Sequence, residues 1–299
     1  MSRNGTKAGQ GGQGLDGAMT RRFTLIQGGL SEPARRDPAA ADPPERPLAV
    51  DLRGALAVDG EAVAAWRALM ARTGSADPFQ DPDFLLTAAQ HQSAGQEIAF
   101  ALVWRRPDAA PDTLHGVLPL RIARPLLARD RAHLWRPPGL PGPSPLIEPE
   151  RARDVVAAVR ARLGALARPV QFDIDPARPG PDAADAAPAG HEVRRRNIPQ
   201  ASLLGVRPEG YRPPSVEHVR DPAQVRDAVE TFLALDARTA RRPIIADPAE
   251  AAMVRVVSRL FARRRQISVE LARSGGTVVA GTLHLGSGAR AVAWRHAAG

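Results

Sequence analysis

Residues 267–294 read ISVELARSGGTVVAGTLHLGSGARAVAW. Apolar and polar side chains alternate through 267–272, and a second apolar-rich segment fills 277–285. Ser274-Gly275-Gly276 and Gly286-Ser287-Gly288 punctuate the stretch. Glycine reaches the backbone conformations that tight hairpin turns require, so the pattern predicts three antiparallel strands over 267–272, 277–285 and 289–294. Two helices are predicted upstream. Residues 222–240 carry Val225, Val229, Phe232 and Leu233 on one face, and 248–264 carry Met253, Val257, Leu260 and Phe261. Asp221-Pro222 and Asp247-Pro248 open them with an N-cap carboxylate followed by a first-turn proline.

The same order occurs earlier. Val63, Trp66, Leu69 and Met70 form a helical stripe over 60–72. Asp81 or Asp83 can cap a second helix that begins near Pro82 and carries Phe84, Leu85, Ala88 and His91 on one face. Strands follow at 98–104, 114–122 and 133–135. Helix–helix–strand–strand–strand thus recurs over about 60–136 and 222–296, with negligible identity between the halves. Between them, residues 137–145 hold five Pro and two Gly and exclude regular structure. A helix over 149–166 (Val155, Val159, Leu163 and Leu166 on one side), a strand over 169–175, a loop to about 189 and one or two strands within 191–204 complete the reading. A strand is expected at 48–52, after a Gly-, Ala- and Pro-rich tail over 1–47 with too few large apolar residues to fold. Met19 is a candidate start.

Composition removes several functions. The sequence has no Cys, which excludes disulfides, Cys-ligated metals and thiol nucleophiles. The formal net charge is +9. Lys7 is the sole lysine, so the excess is arginine. Its runs (Arg194-Arg195-Arg196, Arg241-Arg242, Arg263-Arg264-Arg265) are short, interspersed with acids and poor in neighbouring aromatics, and no nucleic-acid partner is expected. No apolar run is long enough for a membrane span, so no stable membrane insertion is expected. Thr20-Arg21-Arg22-Phe23 lacks the apolar stretch of an export signal, and a cytoplasmic location is the expectation. The seven His are dispersed, without zinc-site spacing. Asp173-Ile174-Asp175 has the spacing of a carboxylate pair that grips a divalent ion, but alternate acids on a strand equally make a solvated face, so no metal is expected.

Phe232-Leu233-Ala234-Leu235-Asp236-Ala237-Arg238, Ala246-Asp247-Pro248-Ala249-Glu250-Ala251-Ala252 and Val278-Val279-Ala280-Gly281-Thr282-Leu283-His284-Leu285 together resemble the CelD-type, FemAB-like branch of the GNAT acyltransferases, bacterial proteins associated with cellulose and exopolysaccharide production. Trp66-Arg67-Ala68-Leu69, Pro78-Phe79-Gln80-Asp81-Pro82-Asp83-Phe84-Leu85, Gly116-Val117-Leu118-Pro119-Leu120 and Ser144-Pro145-Leu146-Ile147 extend the resemblance over about 48–296. It implies an α/β (α+β) fold of tandem GNAT-like units with mixed, largely antiparallel sheets, an N-terminal unit at 48–205 and a C-terminal unit at 215–299. It further implies acetyl-CoA or another acyl-CoA as co-substrate, an amine-bearing acceptor, and a link to polysaccharide-synthesis machinery. Two features depart from the family. The strongly basic helix before the second unit has no counterpart, and the sequence stops at Gly299, where the coenzyme A loop of that unit is expected.

An acyl transfer of this kind needs a cradle of backbone N–H groups for a pyrophosphate and a proton acceptor for the amine. In the first unit the cradle position falls at 137–145, where prolines have no N–H to give, leaving Gly139 and Gly142 as the permissive cofactor-binding candidates. On the strands of the second unit, Glu270, His284 and His296 are the candidate catalytic residues. Each equally fits the solvated face of a strand. Two alternatives stay open: a non-catalytic or truncated GNAT-like scaffold, and a metal-dependent transferase built on Asp173 and Asp175.

Overall fold

The computed structural model describes residues 47–106, 112–124, 130–138, 140, 145–166, 169–172 and 214–299. The expected tail up to residue 46, Gly139, Gly142, the Asp173/Asp175 pair and the strands expected within 191–204 lie outside the described residues.

The chain runs β1 (Ala49–Gly54), α1 (Gly60–Arg72), α2 (Pro82–His91), β2 (Glu97–Arg105), β3 (Thr113–Ala123), β4 (Asp130–Leu134), β5 (Leu146–Ile147), α3 (Ala152–Gly164) and β6 (Val170–Phe172). It continues through β7 (Ser215–Val219), α4 (Pro222–Thr239), α5 (Pro248–Arg263), β8 (Ile267–Ser274), β9 (Thr277–Leu285) and β10 (Val292–Ala298). The first sheet has the order β1-β2-β3-β4-β6, with β5 paired to β3, and the second β10-β9-β8-β7. Every described pairing is antiparallel except β4 with β6. The α/β fold with mixed, largely antiparallel sheets is therefore the one the sequence predicts. The repeat is fuller than expected: strand–helix–helix–strand–strand–strand occurs twice, and in both copies the leading strand pairs with the first strand after the helices.

Local chemistry sets the helix starts. Asp81, Asp221 and Asp247 each accept a hydrogen bond from a first-turn N–H, at 2.9 Å from Asp83, 3.1 Å from Ala223 and 2.9 Å from Ala249, with proline at the next position. Such a cap contributes about 1 kcal/mol and fixes where the helix begins. The last strand departs from expectation. Gly288–Arg290 form a short 3-10 turn, and β10 starts at Val292 rather than 289.

The two sheets differ in cover, and their sequences show it. β2 is buried along almost its whole length because helices lie on both faces of the first sheet. Trp66, Leu69, Phe84 and Phe100 pack on one side, while Ala101, Val103, Leu118 and Leu120 meet Val155, Val159 and Leu163 of α3 on the other. β8 alternates buried and half-buried residues: Ile267, Val269 and Leu271 face the helices, and Ser268 and Glu270 face away. The Trp66–Phe84 core is continuous with that of Val229, Phe232, Val257, Phe261 and Leu283.

α2 packs on α5 and joins the two copies. Arg264, just past α5, reaches the buried Asp81 carboxylate at 2.8 Å and Asp83 at 3.4 Å, while Arg67 holds Asp83 at 2.8 Å. Phe84 stands edge-on to Trp294 with ring centroids 5.7 Å apart, and to Phe79 at 5.1 Å. Removing Arg264 leaves the Asp81 charge buried without its cation. Arg264→Ala should cost about 2–3 kcal/mol of unfolding free energy, toward the low end for a buried pair because the guanidinium is partly solvated. Urea unfolding of the two proteins measures this; a loss under about 0.5 kcal/mol would place the pair among inconsequential surface contacts.

Candidate functional site

The three catalytic candidates arrive on one face of the second sheet, the face turned away from α4 and α5. Glu270 lies opposite Thr282, and Thr282 opposite His296, so these residues form a row across β8, β9 and β10 that His218 extends onto β7. His284 sits one step along β9, opposite Ser268 and Ala293. Its Nε2 is 3.5 Å from Glu270 Oε2, an ion-pair distance longer than a well-formed hydrogen bond. His296 Nδ1 meets the Thr282 hydroxyl at 3.0 Å. Glu270 and His284 are part-exposed, His296 is exposed, and among the described residues no helix covers them.

This convergence depends on a bulge. The two-residue Gly275-Gly276 turn pairs Ser274 with Thr277, a register that would set odd-numbered residues of β8 against even-numbered residues of β9. Beyond Ala272 the large buried residues of both strands are odd-numbered: Ile267 and Val269 lie against Leu285 and Leu283, and Leu271 against Gly281. An irregularity between Ala272 and Arg273 shifts the register by one and brings both apolar sets to the same face. Glu270, Thr282 and His284 are thereby left together on the other.

β10 is an edge strand among the described residues, and it too is bulged, between Ala293 and Arg295. The extra residue is Trp294, whose ring turns into the core against Phe84. Arg295 goes to the helix side. There its guanidinium lies 5.2 Å from the Trp294 ring centroid and donates to Glu250 at 3.0 Å. Burial lowers the Arg295 pKa, opposed by the charge and hydrogen bond of Glu250 and the charge of Asp236. Asp236 is itself buried and accepts from the Ile244 N–H at 2.6 Å. These groups pin the bulged strand to both helices of its unit. Sequence reasoning missed them, although an Arg beside a Trp at the end of an apolar strand is a signal that could have been weighed.

In the first unit, Pro138 of the expected cradle at 137–145 lines a cavity of about 340 Å3 together with Trp135 and Arg136, which precede the cradle, and with Gln92 and Arg121. The Gln92 side-chain oxygen is buried there without a partner. Amide orientation is exchangeable, so this group and the two arginines fit an anionic ligand. On the same unit His115 and Arg72 both hold Glu148, just beyond β5. Burial pushes the Glu148 carboxyl up, and the hydrogen bonds and charges of His115 and Arg72 outweigh it, leaving its pKa lowered. Among the described residues no three His, Asp or Glu side chains gather to hold a metal ion, and no helix is long and apolar enough to cross a membrane.

Residues 193–298 match the family model described as an acetyltransferase (GNAT) domain. A solved tandem GNAT protein from the clavulanic acid biosynthesis pathway, determined without acetyl-CoA, is similar at 17% identity over 84% of this chain and 79% of its own, with a TM-score of 0.34. That superposition is loose, and the fold assignment rests on the domain match and the element order. No curated protein matches the sequence at a significant level.

Proposed function

We propose that the protein is an acyl-CoA-dependent N-acyltransferase of tandem GNAT-like design, with units at 48–205 and 215–299, acting in the cytoplasm on an amine-bearing acceptor in polysaccharide or cell-envelope modification. The GNAT acetyltransferase domain over 193–298 carries this reading. The acyl-CoA co-substrate follows from that domain. The CelD-type, FemAB-like affiliation, and with it the cellulose or exopolysaccharide machinery as partner, follows from the motifs of both units.

In the proposed reaction the acceptor amine attacks the thioester carbonyl carbon. A C–N bond forms, the C–S bond breaks, the amine gives up a proton and the coenzyme leaves as its thiol. His284 takes the proton. Its Nε2 faces Glu270, which leaves Nδ1 as the base and lets the carboxylate stabilise the imidazolium that forms. Ala293, directly opposite His284 on the edge strand, is small and exposed and leaves the imidazole open to a ligand lying along β10. The backbone N–H groups on that edge, unpaired among the described residues, are the donors for charge developing on the carbonyl oxygen. A second reading, a non-catalytic GNAT-like scaffold, is favoured by the solvent exposure of Glu270 and by the prolines at 137, 138 and 145 of the expected cradle. Thiol release from acetyl-CoA across a panel of amino sugars and primary amines separates the two. Acceptor-dependent release supports the enzyme; background rates with every acceptor support the scaffold.

A further inference from the structure

We propose that the groove between α4 and α5, on the opposite side of the second sheet from His284, binds a small free amphiphilic anion: an acyl chain ending in an anionic head. The groove encloses about 630 Å3, within the range of small-molecule sites. Val225 and Val229 form its apolar floor, and Arg226, Arg255, Arg259 and Arg263 stand around it. Glu230 is committed to Arg255 through paired hydrogen bonds of 2.6 and 2.8 Å. Among the described residues neither Arg226, Arg259 nor Arg263 has a carboxylate within ion-pair distance.

Two features make this more than a basic surface. First, Arg259 and Arg263 stand four residues apart on α5, one turn after the Glu230-paired Arg255, so their charges repel along one ridge, an arrangement that weakens a helix unless an anion relieves it. Second, Ser258 lines the groove, is only 3% exposed, and its hydroxyl has no hydrogen-bond partner. A buried hydroxyl left unsatisfied disfavours the empty groove and is relieved by a ligand acceptor. From Arg255 to Arg263 the ridge rises about 12 Å, too short to seat a partner helix over the area a stable protein interface needs. It suits a single chain lying on the valines with its head between guanidinium forks.

Titrating decanoate into the full-length protein by calorimetry tests this, with 1-decanol, inorganic phosphate and phosphatidylglycerol vesicles as comparison probes. Saturable binding of decanoate at one site per chain is expected. It should weaken about tenfold or more in R259Q/R263Q, since charge-assisted hydrogen bonds are lost. Ser258→Ala should also weaken it while leaving the thermal unfolding of the unliganded protein unchanged or raised, which a merely structural serine would not do. The proposal is overturned if decanoate gives no saturable heat, if decanol binds equally well, if R259Q/R263Q binds like the parent, or if only phosphate or only vesicles bind. None of these outcomes depends on acyl transfer, so the test stands apart from the reaction proposed above.

Discussion

Phe84→Ala should lower the unfolding free energy by about 3–5 kcal/mol, the cost of emptying a fully buried aromatic site. Phe84 is 0% exposed and lies where the two copies of the fold meet, edge-on to Trp294 of β10 and to Phe79 beside α2. The loss has two sources: the transfer energy of the ring and the cavity left beside Phe79 and Trp294, which can collapse only in part. Phe84→Leu keeps most of the volume and should cost about 1–1.5 kcal/mol. Equilibrium unfolding in urea, followed by tryptophan fluorescence, reads both values. A cost below about 1 kcal/mol for the alanine variant would mean that α2 does not pack on β10 as described.

The second large effect is on turnover. Glu270→Gln and His284→Asn should each reduce kcat for acyl transfer by about 10²–10⁴-fold while leaving KM for acetyl-CoA nearly unchanged, because a proton acceptor acts in the chemical step and not in thioester binding. The double variant should lose little more than either single one, since Glu270 acts through His284. His296→Asn, on the exposed row beside Thr282, should fall by far less. Equal, additive losses at all three positions would point to an unspecific effect of altering the sheet face. Full activity in His284→Asn would remove the imidazole from the mechanism.

Much of this was legible because one physical signal dominated each element. α1 falls on 60–72 as read from Val63, Trp66, Leu69 and Met70, and the Asp-Pro pairs mark the starts of α2, α4 and α5. The near-continuous apolar run of β2 and the alternation of β8 report two-sided and one-sided cover before any contact is known. β7 was not legible: four of its five residues are exposed, so no alternation betrays it. β10 was displaced because the apolar run at 289–294 is split between a 3-10 turn and a bulged residue, and neither leaves a periodic mark. The site was half legible. Alternation alone puts Glu270 and His284 on the solvent face, but their contact follows from the register shift between Ala272 and Arg273. That shift could have been inferred from the mismatch between an odd-numbered apolar set on both strands and a two-residue glycine turn. Arg295, Glu250 and Asp236 stayed hidden because buried ionic contacts between distant elements have no local period.

Whether the protein takes acetyl-CoA as a ligand is decided by calorimetric titration of the full chain. The acyltransferase reading predicts saturable binding at one or two sites per chain with a Kd between about 1 μM and 1 mM, the range of enzyme–substrate affinities. No detectable binding at millimolar acetyl-CoA, with the protein folded and monodisperse, would contradict it and leave a GNAT fold used as a scaffold.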